Sequence, residues 1–115
     1  MPELDTLRDS LREFAAERDW EQFHSPKNLA MALSVEAAEL MEHFQWSSEE
    51  QSRHPTAEEL AGIREELADV LLYLVRLADQ LGIDLLDSAQ AKILANASKY
   101  PVDKSRGNSR KYTDL

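Results

Sequence analysis

Two acidic pairs, Glu36-Ala37-Ala38-Glu39 and Glu66-Leu67-Ala68-Asp69, each repeat a carboxylate at a spacing of three. In a helix that spacing sets both members on one face, about one turn apart. If the two segments are neighbouring helices, four carboxylates converge. Clustered anions are costly unless they are protonated or bound to a cation. A ligand set made only of carboxylates favours magnesium, or manganese, over zinc. Such an ion suits phosphoryl chemistry, with one glutamate free to act as general base toward a water. Taken alone, the pattern leaves two readings open: metal ligands, or charge on solvated helix faces. A di-iron carboxylate bundle is a poor third, because its signature is Glu-x-x-His on two helices. Here Glu36, Glu39 and Glu66 are followed three residues later by Glu39, Glu42 and Asp69.

The elements that must position these residues are helical. Leu7, Leu11, Phe14 and Arg18 recur at helical spacing and predict a first helix from about Leu4 to Arg18. Ser25-Pro26 supplies a cap and a first-turn proline for a second helix reaching about Phe44. Its stripe is Leu29, Leu33, Glu36, Leu40 and Phe44, so Glu36 interrupts an apolar face. Residues 47–55 are polar and read as a loop. Thr56 with Glu59 reads as a capping box opening a third helix that ends at Gly82. The middle of this helix is apolar nearly all round, which predicts burial between neighbours. Asp84 caps a fourth helix from Leu85 to about Lys99, before Pro101. The expected fold is all-α, a small four-helix bundle over residues 1–101, followed by a basic tail over 102–115, extended or mobile.

Composition limits the partners. The chain has 115 residues, no cysteine and a net charge of −9. Residues 1–98 carry 8 Lys/Arg against 20 Asp/Glu, whereas residues 99–115 carry 5 against 2. An acidic body does not suit a nucleic-acid duplex, which calls for a basic face. No apolar run is long enough for a membrane span, and the first residues lack the pattern of a signal peptide. Together with the absence of cysteine, this gives a cytoplasmic expectation. Half-exposed helices in so short a chain also predict oligomerisation.

The two acidic pairs resemble the metal-binding signature of the MazG-like all-α nucleoside triphosphate pyrophosphohydrolases. The segment from Phe14 to His24, Phe44-Gln45-Trp46, Leu71-Leu72-Tyr73-Leu74, Lys99-Tyr100-Pro101 and Ser109-Arg110-Lys111-Tyr112-Thr113 resemble the dCTP pyrophosphatase branch. The resemblance runs from about Leu11 to Leu115. It implies a MazG-like bundle that cleaves a pyrimidine nucleoside triphosphate to the monophosphate and pyrophosphate, a nucleotide-pool house-cleaning activity. It also implies magnesium on Glu36, Glu39, Glu66 and Asp69, a base pocket of Trp20, His24, Trp46, Tyr73 and Asn96, and Lys92 at the phosphates. A homotetramer or dimer is implied as well, with neighbouring chains completing the pocket. Residue chemistry agrees in part: aromatic rings can stack on a base for ~1–3 kcal/mol, and Asn96 offers both donor and acceptor. The chain departs from the branch in a shorter, more acidic loop after Trp46 and in Val35, Ala37 and Ala38 around Glu36, where relatives often carry glycine. Base preference is therefore less determined than the reaction. The competing expectation is a non-catalytic, self-associating helical adaptor, which leaves the acidic residues within apolar stripes unexplained.

Overall fold

The computed structural model describes residues 3–115, so residues 1 and 2, with which the expected domain begins, lie outside the described residues. Four long helices form where periodicity places them: α1 (Leu4–Glu17), α2 (Pro26–Glu42), α4 (Ala57–Leu81) and α5 (Leu85–Lys99). Two short ones, α3 (Glu49–Arg53) and α6 (Val102–Ser105), complete the set, and no strand occurs among the described residues. The chain divides into two compact units, Met1–Ile83 and Asp84–Leu115.

In the first unit the boundaries follow local chemistry. The Ser25 hydroxyl accepts from Asn28 N at 3.1 Å, relieving one of the unpaired donors at the start of α2. Thr56 does the same for Glu59 N at the start of α4. Gly82 ends α4 at φ 67°, a left-handed conformation that glycine adopts without a Cβ penalty. The expected loop over 47–55 instead contains α3. Ser48 Oγ accepts from Gln51 N while Gln51 Oε1 accepts from Ser48 N, so a reciprocal capping box holds one polar turn without core burial.

Helix α4 is the spine of this unit, with α2 packed along it and α1 against it. Ala15, Leu29, Ile63, Val75 and Ala78 are buried between the three helices. Within this unit the expectation that α4 lies buried between neighbours is met only in part. Leu60, Leu67, Leu71 and Leu74 are 43, 53, 40 and 38 % exposed, because α1 and α2 cover only part of its circumference. No helix among the described residues is long and apolar enough to cross a membrane.

In the second unit Asp84 caps α5 by accepting from Asp87 N at 3.0 Å. The tail is folded rather than extended. After α6 it returns so that the Tyr112 ring meets Tyr100 edge-to-face at 5.9 Å and lies under the Lys99 ammonium at 4.9 Å.

Candidate active site

Packing of α2 on α4 brings the acidic pairs toward each other. One carboxylate oxygen from each of Glu36, Glu39 and Glu66 lies within 4.8 Å of the other two. Asp69 is outside this grouping, although its charge acts on Glu36. All four are partly buried. Oε2 of Glu36 and Oε2 of Glu66 are shielded from solvent and accept no hydrogen bond. Burial is the largest cause that pushes the Glu36 carboxyl up to about 7. Hydrogen bonds that a protonated Glu36 makes with Glu66 and Glu39, and the charges of Glu39 and Asp69, add to it. As bare carboxylates these groups repel and leave acceptors orphaned; a shared proton or a hard cation relieves both. The donor set and the orphaned oxygens therefore fit magnesium or manganese.

A second grouping forms around the turn between α1 and α2. Asp19 adopts φ 55°, which aspartate tolerates better than most residues, and its backbone and side-chain oxygens accept from Gln22 Nε2, both at 3.0 Å. The turn is tied down by Trp20 N donating to Ala15 O at 2.9 Å and by Asn28 Nδ2 donating to Phe23 O at 3.0 Å. It places the Trp20 ring edge-to-face with His24, centroids 6.4 Å apart, and with Phe14 at 5.7 Å. Trp20 and His24 thus stand together.

The remaining candidates are more dispersed. Tyr73 is half-buried on α4, one turn after Asp69. Trp46 follows α2 and is 90 % exposed, so within one chain its ring does not close the helix end onto the core. Lys92 and Asn96 are exposed on α5 of the second unit.

Sequence reasoning passed over a buried ion-pair network in the first unit. Arg76, only 5 % exposed, donates Nε–H to His24 Nδ1 at 3.0 Å and approaches Asp79 at 3.4 Å. Asp79 also receives a two-pronged contact from Arg12, with Nε donating at 2.7 Å. Arg12 foremost, then Arg76 and Arg8, hold the Asp79 carboxyl below its usual range. The available signal was Arg76 and Asp79, a charged pair three apart at the end of an apolar run. A cleft of about 370 Å³ lies beside this network, lined by Arg12, Glu21, Arg76, Asp79 and Gln80. None of the four acidic residues lines it.

Residues 31–115 match the MazG-like family. Mouse dCTP pyrophosphatase 1 is 50 % identical over 117 aligned residues, which span 99 % of this chain and 68 % of the relative. The human dCTP pyrophosphatase 1 is 46 % identical, with the same shares of the two chains. The crystal structure of a pyrophosphatase from Archaeoglobus fulgidus superposes with a TM-score of 0.82 at 39 % identity, covering 88 % of this chain and 94 % of that one.

Proposed function

This chain belongs to the MazG-like family, and from that membership we infer that it is a nucleoside triphosphate pyrophosphohydrolase whose substrate is dCTP or a closely related pyrimidine nucleotide. The reaction cleaves the anhydride between the α and β phosphates: a water adds to phosphorus, pyrophosphate leaves, and the monophosphate retains the new oxygen.

The observation that carries the reading at the level of chemistry is the carboxylate cluster. Glu36, Glu39 and Glu66, with Asp69 alongside, would hold magnesium or manganese. When bound, such an ion neutralises triphosphate charge and lowers the pKa of a coordinated water. The chain's own part is to fix the carboxylates on two packed helices and to leave one of them to take the proton of the attacking water. The Trp20–His24 pair, Tyr73 and Trp46 are proposed to receive the base. On α5, Asn96 is proposed as a further ligand of the base and Lys92, one turn before it, as a ligand of the phosphates.

Assembly belongs to the same proposal. The stripe Leu60, Leu67, Leu71 and Leu74 is a bare apolar face on the helix that carries two of the ligands. A second copy of the chain, in a dimer or tetramer, is proposed to cover it. The adaptor alternative leaves the buried, unpartnered carboxylate oxygens without a role.

The deciding experiment is a panel of dCTP, dTTP, dUTP and modified pyrimidine triphosphates, with and without magnesium, assayed for pyrophosphate. Metal-dependent release with the monophosphate as co-product is expected. No release from any nucleotide would overturn the assignment.

A further inference from the structure

The guanidinium of Arg76 is always protonated, so at its Nε it can only donate. Its Nε lies 3.0 Å from His24 Nδ1 with a geometry that makes a hydrogen bond. Nδ1 must therefore be the acceptor, and the imidazole's single proton resides on Nε2. The donor is not free to turn away. Arg76 is 5 % exposed on α4, and its NH1 is engaged by Asp79, itself gripped by Arg12. The histidine is tied as well: its backbone N–H donates to Glu21 O at 3.1 Å, and its ring stands edge-to-face with Trp20.

We propose that Arg76 is a positioning residue for nucleotide binding: it locks His24 as the neutral Nε2–H tautomer, so that the histidine presents a donor to a hydrogen-bond acceptor of the bound nucleotide. The proposal rests on the assignment of His24 to the substrate pocket. The shared chemistry is an oxygen acceptor, either the pyrimidine carbonyl or a phosphate oxygen. The edge-to-face neighbour Trp20, an aromatic surface suited to a base, favours the carbonyl. The groups acting on His24 agree with a neutral ring. Burial and the Arg76 charge lower its basicity, and Glu21 opposes them. Asp79 and Arg12 complete the charged surroundings and largely satisfy each other.

The test begins on the unaltered, magnesium-loaded protein, where histidine side-chain nitrogen NMR reads the His24 tautomer directly at pH 7. A protonated Nε2 with a bare Nδ1 is expected; an Nδ1–H tautomer or an imidazolium overturns the proposal, with no variant required. In Arg76→Met the tautomer preference should be lost, and KM for dCTP should rise about twofold, as the fraction of His24 presenting the Nε2–H donor falls from nearly one toward one half, with kcat nearly unchanged. Arg76→Lys, which retains a cationic donor, should recover part of the KM. A KM raised by His24→Ala but not by Arg76→Met overturns the positioning role alone. A KM unmoved by both overturns the assignment of His24 to the pocket and the proposal with it. Competitive inhibition by deoxycytidine and by pyrophosphate identifies the acceptor. Arg76→Met weakens the nucleoside if His24 donates to the base, and pyrophosphate if it donates to phosphate. Unchanged inhibition by both overturns the proposal.

Discussion

Glu36 on α2 and Glu66 on α4 approach each other across the helix pair, each with its Oε2 buried and accepting no hydrogen bond. Two such carboxylates should destabilise the metal-free fold, and on the proposed function a cation would relieve them. Glu66→Gln should separate the two effects. The amide removes one charge and offers a donor to Glu36, so the metal-free melting temperature should rise. Magnesium should no longer raise it further, and pyrophosphate release should fall about a hundredfold or more. Calorimetry with and without magnesium checks the first part and the nucleotide assay the second. A variant that melts lower without metal would contradict the assignment of strain to this pair.

Cation binding should be linked to protons. Glu36 is pushed up to about 7 in the metal-free protein, above its unfolded value, so near neutral pH it is partly protonated. Folding then retains protons that the unfolded chain has lost. Metal-free stability should therefore decline as pH rises from the ordinary carboxylate range through about 7. Magnesium must displace the proton, so affinity should increase over the same window. Titration calorimetry at pH 7 in buffers of different ionisation enthalpy should show net proton release; heats independent of buffer would count against it.

The Arg12–Asp79–Arg76 network predicts the opposite pH behaviour at the acid end. Asp79 has its carboxyl lowered by these arginines, so its contribution is fully present above the unfolded value, ~3.9, and is lost as pH falls through the lower folded value. Asp79→Asn should melt a few degrees lower at pH 7, with the gap closing in strong acid. Parallel melting curves for the two proteins at both ends of the range would disprove the linkage.

Gly62 on α4 lies against the His43 ring, and a Cβ added there would meet His43 Cε1 at 2.8 Å. Alanine favours the helix by up to ~1 kcal/mol, and the obstructing atom is the tip of a side chain that can turn. Gly62→Ala should therefore change stability by no more than about 1 kcal/mol while displacing the His43 ring, one turn beyond Glu39. Ring resonances of His43 report the displacement. A loss beyond about 2 kcal/mol would mean that the ring is clamped.

Leu71, 40 % exposed at the centre of the bare α4 stripe, tests assembly. Leu71→Glu places a charge where a second copy is proposed to sit. Light scattering should show a shift toward monomer at micromolar concentration, with little change in helical content. An unshifted mass would move the interface elsewhere.

Much of this molecule was written in local patterns. Ser25-Pro26, Thr56, Gly82 and Asp84 mark helix boundaries because caps and left-handed turns depend on a few adjacent residues. The spacing of three in Glu36–Glu39 and Glu66–Asp69 determines a shared helical face in the same local way. The polar turn over 49–53 was illegible because its only signal, Ser48 with Gln51, stabilises one turn without an apolar stripe. The folded tail was missed because Tyr112 reaches Tyr100 by an aromatic contact that no periodicity encodes.

What only tertiary structure decided concerns pairs distant in the chain. Packing of α2 on α4 selected Glu36, Glu39 and Glu66 as the close group and left Asp69 at its edge. The same packing, with the turn after α1, set Arg76 beside His24, 52 residues apart. Residue type supplies the chemistry that such a pair can perform. Whether two side chains meet depends on helix crossing and buried volume, summed over the whole core, and no single stretch of sequence contains that sum.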